Sequence, residues 1–381
     1  MKTLRSISPK QIKLPYIFGD NAIEIHSYEG LIYYFFNYWM DALEAIDSQE
    51  LYSFILHELE LENKAAMLKK MLESKIENEN ILLEFFEDSE LLDMEEFVFL
   101  KSEIDKWSEL PKEERYNCQG DKAFHNKRYQ QALKHYKKAQ SIVFSAKTEH
   151  NIGIAYLKMM FFKESEKALI KSIEHSSDIN IKLSYIKLLK ITNREEEALK
   201  YLDHVLATDN NDKLLVEKGK IYLLTGKFME AYNSFSEAYS IERDIKTFVL
   251  MITSKLEYAA DKAALLEIEA LEGENFYLLK ALYYEKNEEV QKAIDILEEG
   301  AAYLDNNDNI NFQLSRLYRK NKQIIKAIGA VSKLSEAFRE SDEVLYEMAL
   351  IAKKAGNWKD YEEKIGQITS LWKRQIRERF S

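Results

Sequence analysis

Residues 120–139 read GDKAFHNKRYQQALKHYKKA. Gly120, Phe124, Tyr129, Ala132, Tyr136 and Ala139 fall at steps of 4, 5, 3, 4 and 3 residues. Steps of three and four place small and aromatic side chains on one face of a helix. The rhythm breaks near Asn126-Lys127, which predicts a tight turn between two helices. These offsets are packing rules, and no reaction chemistry stands in them.

The pattern recurs along the chain. Gly153 follows Gly120 by 33 residues, Gly219 follows Gly153 by 66, and Ile186 fills the same slot between them. Aligned on the small residue of the second helix, the copies fall at Ala132, Ser165, Ala198, Ala231, Ala264, Ala293, Ala327 and Tyr361. Their separations are 33, 33, 33, 33, 29, 34 and 34, and the fifth copy, around KLEYAADKAALLEIEAL, is degenerate. A small residue in each helix of a pair allows close approach, while the aromatics fill the space between pairs. No single pair buries its apolar face alone, so stacking is compulsory.

This pattern resembles the tetratricopeptide repeat, a helix–turn–helix of about 34 residues. The family's small and aromatic positions match Tyr116, Gly120, Tyr129, Ala132, Tyr136 and Ala139, and again Gly219, Tyr222, Phe228, Ala231, Phe235 and Ala238. The proline expected at each repeat end is missing, and Asp209-Asn210 and Asn306-Asn307 are read as helix terminators in its place. The resemblance implies an all-α fold: a right-handed superhelix, or α-solenoid, of about eight such repeats over residues 116–381. Its C-terminal capping helix would carry LWKRQIRERF, with Trp372 and Phe380 on the packed side.

Residues 1–110 are expected to form a separate acidic, mostly helical domain. Residues 1–115 hold 12 Lys/Arg against 25 Asp/Glu, leaving 42 basic and 40 acidic of the chain's 54 and 65. The alternating piece IKLPYIFGDNAIEIH is read as extended, and LIYYFFNYWMDALEAI, residues 31–46, as one deeply buried helix. Residues 73–96 carry ten acids against Lys75 and read as an acidic amphipathic helical pair. Leu82, Phe85, Phe86 and Leu91 could dock that pair on a basic surface elsewhere in the chain. No family resembles this third. The whole layout is similar to bacterial peptide-sensing Rap-type regulators in architecture only.

Composition excludes several classes of function. The longest apolar run, Leu31–Met40, is far short of the ~20 residues of a membrane span, so no membrane insertion is expected. MKTLRSISPKQIKLP has no apolar secretory core, and a single cysteine, Cys118, fits a reducing compartment. A bacterial, cytoplasmic protein is expected. There is no phosphate-cradling glycine loop, no HExxH and no paired CxxC, so no cofactor, no metal and no enzymatic activity is expected. His125 and His135 are read as exposed polar positions, and Cys118 as a half-buried packing residue. An acidic first third repels phosphates, so no nucleic acid is expected. The oligomeric state stays open.

In the resembling family the first helix of each repeat lines a concave groove. Positions 2, 5, 6, 9, 12 and 13 of repeats two to four carry Lys147, Lys158, Lys187, Lys190, Lys213 and Lys220 against one acid, Glu217. Asn151 shares that wall, and in repeat seven Arg316, Arg319 and Lys320 extend the bias with no acid facing them. The family's carboxylate clamp is not reproduced, because only Asn151 fits its slots and Glu217 stands where arginine belongs. A basic groove attracts acidic or extended protein segments. Two functions follow as expectations: a non-catalytic binding adaptor or scaffold, or a peptide-responsive regulator whose N-terminal domain binds an effector.

Overall fold

The computed structural model describes residues 14–18, 23–89 and 91–368. The chain divides into two units, Met1–Asn193 and Arg194–Ser381.

The first unit opens with a hairpin, β1 (Tyr16–Phe18) against β2 (Ile23–Ile25), in antiparallel register with Tyr16 opposite Ile25. The alternating sequence predicts such an extended piece. Helices α1 (Tyr28–Asn37), α2 (Trp39–Ala45) and α3 (Gln49–Ser53) follow, the last running into a π-helical turn at Phe54–Glu58. Then come α4 (Glu62–Glu73), α5 (Asn78–Ser89) and α6 (Met94–Ser108). Residues 31–46 do not form one helix. Tyr38 breaks the run at φ −129° and ψ 41°, stacking on Tyr34 at 4.6 Å, and Trp39 turns edge-on to Trp107 at 5.6 Å. The buried aromatics need two helix directions to share one core.

That core joins Phe18, Leu31, Phe35, Ile55, Leu68 and Trp107 to the apolar face of α5. Leu82, Phe85 and Phe86 lie fully inside it. The expectation that they dock α5 on a basic surface is therefore overturned, since burial in their own core already uses them. Fully burying each is worth ~1.5–3 kcal/mol, far more than exposed charge pairing could offset.

The first repeats of the same unit are α7 (Lys112–His125), α8 (Tyr129–Ile142), α9 (Ala146–Lys158), α10 (Phe162–Glu174) and α11 (Ile179–Ile191). The second unit continues with α12 (Glu195–Leu206), α13 (Asp212–Leu224), α14 (Phe228–Ile241), α15 (Ile245–Tyr258), α16 (Lys262–Ile268) and α17 (Gly273–Lys286). It goes on through α18 (Val290–Tyr303), α19 (Asp308–Lys320), α20 (Ile324–Ser332), a single turn α21 (Glu336–Arg339), α22 (Asp342–Lys354) and α23 (Trp358–Gln367). In chain order these give eight first-and-second-helix pairs, beginning with α7 and α8. The capping segment with Trp372 and Phe380 lies outside the described residues.

In repeats one, two and four a small residue of the first helix meets a large one of the second. A β-carbon added at Gly120 would sit 2.4 Å from the Tyr136 ring, at Gly153 2.8 Å from Leu169, and at Gly219 2.6 Å from the Phe235 ring. Each partner lies sixteen residues on, and in repeat six the same interval joins buried Ala281 and Leu297. The aligned residues Ala132, Ser165, Ala198, Ala231, Ala264, Ala293 and Ala327 are all fully buried, while Tyr361 is half-buried. The predicted register is the one the chain adopts.

Turns and caps keep the same interval. Lys127, Met160 and Asn193 in the first unit, and Gly226, Glu288, Lys322 and Gly356 in the second, take positive φ between the two helices of a repeat. Repeat five departs from this. Its turn residue Ala259 is extended, at φ −155°, and its second helix, α16, is only seven residues long, which accounts for the 29-residue spacing. Between repeats, the side chains of Ser145, Asp178, Asn211, Asp244 and Asn307 accept hydrogen bonds from the first free amides of the next helix. Asn307, expected to end a helix, instead starts one.

Candidate functional site

In the first unit the first-helix face belongs to α7, α9 and α11, and a polar ladder fixes it. The Thr148 hydroxyl donates to Asn117 Oδ1 at 3.1 Å, and Asn151 Nδ2 donates to Asp121 Oδ1 at 3.2 Å. Tyr136 OH donates to the same Asp121 oxygen at 2.7 Å, and burial with that bond holds its phenol protonated far above the usual range. Next along, His150 Nε2 lies 2.8 Å from Ser184 Oγ, whose own proton goes to Asn180 O. The imidazole is therefore the donor, and burial keeps its pKa below the ordinary value.

Above this ladder stand the lysines. Lys147 and Lys158 on α9 and Lys187 on α11 are exposed and make no ion pair among the described residues, while Lys190 is half-buried. Asn151, grouped with them from the sequence, is tied to Asp121 and serves the ladder. Cys118 faces Lys147, Asp121 and Glu114, and burial foremost pushes its thiol up. A half-buried, protonated thiol is a poor nucleophile.

In the second unit the predicted cations differ in state. Lys213 on α13 is exposed without an ion pair among the described residues. Lys220 reaches Glu217 on its own helix at 2.7 Å. Arg316 donates to Gln313 Oε1 at 2.5 Å, and Arg319 grips Glu347 through two bonds of 2.6 and 2.9 Å. Lys320 pairs with Glu285. The expectation that no acid faces repeat seven's cations is thus corrected. Glu285 and Glu347 come from the neighbouring repeats, and Arg319 and Lys320 are spent on stacking.

Sequence reasoning missed a polar centre between the N-terminal helices and the first repeat. Asp41 on α2 and Arg128 before α8 approach to 2.7 Å with their side chains 7% and 5% exposed. Beside them Glu44 meets Lys138 at 2.9 Å and His135 at 3.6 Å. His135, expected on the surface, is buried, and desolvation lowers its pKa despite Glu44. Burial also lowers the pKa of Lys122, which lies over the Trp39 ring at 5.6 Å. The signal was present in the sequence: Asp41 is the first carboxylate after eleven residues without a charge. A buried acid demands a cation, but the sequence does not say which. An open cleft of about 630 Å3 adjoins this centre, lined by Glu44, Asp47 and Glu77 and by Lys112, Lys134 and Lys138.

Among the described residues no group of three or more His, Cys, Asp or Glu is placed to hold a metal ion, and no helix is long and apolar enough to cross a membrane.

No family model and no curated protein matches the chain. Solved structures do resemble it. A tetratricopeptide repeat protein from Parabacteroides merdae aligns over 70% of this chain and 99% of its own, with 10% identity and a TM-score of 0.48. The Cut9–Hcn1 hetero-tetramer of the APC/C aligns over 85% of this chain and 58% of its own, at 15% identity and 0.41. YrrB, a TPR protein with an unusual peptide-binding site, aligns over 54% and 93%, at 16% identity and 0.25. At such values the likenesses carry no argument about this chain. What makes this chain an all-α, tetratricopeptide-like repeat protein is its own 33- and 34-residue interval and the small-against-large packing of its helix pairs.

Proposed function

We propose that the chain is a non-catalytic binding protein that captures an acidic, extended segment of a protein partner on the first-helix face of repeats two and three. One observation carries this reading: Lys147, Lys158 and Lys187 are exposed and unpaired on helices that a hydrogen-bonded ladder holds in place. Fixed helices hold the three charges in a constant array, so an acidic segment would meet a preorganised surface. Arg319 and Lys320 of the second unit are held by their own carboxylates. One cysteine in 381 residues suits a reducing cytoplasm.

The experiment is a titration of a fluorescein-labelled, Glu-rich, twelve-residue peptide by fluorescence anisotropy. Wild type should bind it, and the Lys158→Glu, Lys187→Glu variant roughly tenfold or more weakly, with the difference narrowing at 0.3 M salt. Equal binding by both proteins would move the site to another face.

The second reading, a peptide-responsive regulator, is favoured by the Asp41–Arg128 and Glu44–Lys138 pairs, which tie the N-terminal helices directly to the first repeat. A partner that shifted that repeat would be felt in the N-terminal core.

A further inference from the structure

We propose that the start of α6 is a docking surface for a basic amphipathic helix of a partner protein. Met94, Val98 and Phe99 are 76%, 57% and 66% exposed, three large apolar side chains within six residues. Single exposed apolar residues are ordinary, but a cluster on one short stretch of helix marks an interaction site. The same helix buries Leu100, Ile104 and Trp107 in the N-terminal core. Phe97 packs half-buried on the same core, so the helix is anchored along one face while Met94, Val98 and Phe99 stand clear of it.

A capping box holds the first turn helical, together with Phe97 packed beneath it. Glu96 N donates to Asp93 Oδ1 at 2.9 Å, and Asp93 N donates to Glu96 Oε2 at 3.2 Å. The apolar stripe is thus presented on a preformed helix, and an incoming partner has no ordering to do there.

Charge identifies the partner's chemistry. Helical spacing sets Glu95 beside Val98 and Phe99 and Glu96 beside Phe99, while Glu103, one turn beyond, is paired with Lys106 at 3.0 Å. Residues 84–105 hold nine acids against the single base Lys101. A helix with an apolar stripe flanked by Lys or Arg would seat its stripe on Met94, Val98 and Phe99 and its cations on the rim. This surface selects the charge opposite to that selected by the lysines of α9 and α11, and it stands independently of them.

The test uses the full chain and a labelled model helix of fourteen residues, Leu at i, i+3, i+4 and i+7 and Lys elsewhere. The wild type should bind it. Met94→Ser with Phe99→Ser keeps every charge and removes only exposed side chains, and should weaken binding at least tenfold at unchanged helicity. Glu95→Lys should weaken it too and flatten its salt dependence. Equal binding by wild type and the serine variant would mean unspecific attraction to an acidic domain, and no binding by wild type would be equally fatal. Two further outcomes overturn the proposal by assigning another occupant. One is binding only after residues 1–13 are removed, since that segment carries Lys2, Arg5, Lys10 and Lys13 with Leu4, Ile7 and Ile12. The other is a wild-type dimer that the serine variant dissolves.

Discussion

Arg128→Ala is expected to destabilise the first unit by ~3–5 kcal/mol, because it strands the Asp41 carboxylate where its side chain is only 7% exposed. The pair is close but imperfect. Nη1 of Arg128 approaches Asp41 at 2.7 Å, while Nε and Nη2 find no hydrogen-bond partner. Such a pair adds little net stability, since desolvating two charges costs about as much as their attraction returns. Breaking it from one side is another matter. The double change Asp41→Leu with Arg128→Met should therefore recover most of the loss, because it removes both charges and keeps apolar volume. Urea unfolding followed by circular dichroism checks both. A single variant within about 1 kcal/mol of wild type would mean that water reaches the pair and that it does not lock the first repeat to the N-terminal helices.

Gly219→Ala is expected to destabilise the second unit although alanine is the better helix former by ~1 kcal/mol. The added β-carbon would lie 2.6 Å from the ring of Phe235, which is fully buried and cannot withdraw into solvent. Overpacking of this kind costs ~1–3 kcal/mol. Adding Phe235→Leu should reverse the sign, because the resulting Ala–Leu pair keeps the volume and reproduces Ala281 and Leu297 of repeat six. The double-mutant cycle then gives a coupling of ~1 kcal/mol or more. Additive effects would break the link between these two positions, and with it the sixteen-residue rule that sets the register.

Most of the fold was legible because packing in a repeat is local and periodic. The Gly120, Gly153 and Gly219 slots, and the alanines sixty-six residues apart at Ala132 and Ala198, each announce the same close contact. Where the period fails, so does prediction. The break at Tyr38 answers to the competing demands of Trp39 and Trp107 in one core, and no spacing rule encodes that. The resemblance to the repeat family implied a face for the lysines, but their electrostatic state was not legible in the sequence. Arg319 and Glu347 lie 28 residues apart and Lys320 and Glu285 lie 35 apart, about one repeat in each case. Such pairs form only when neighbouring repeats stack, so the free cations could be told from the committed ones only in three dimensions. The Asp41–Arg128 centre joins a region without repeats to one that has them, and no period spans that junction.

The most direct measurement of the central claim is photo-crosslinking to the Glu-rich probe from two exposed positions in the first unit. Asn180 lies on α11 two turns before Lys187 on the same face, and Lys167 lies on α10, the second helix of its repeat. A photoreactive side chain at position 180 should capture the probe, less efficiently at high salt, while one at position 167 should not. Capture from position 167 in preference to position 180 would contradict the assignment of the first-helix lysines as the binding surface.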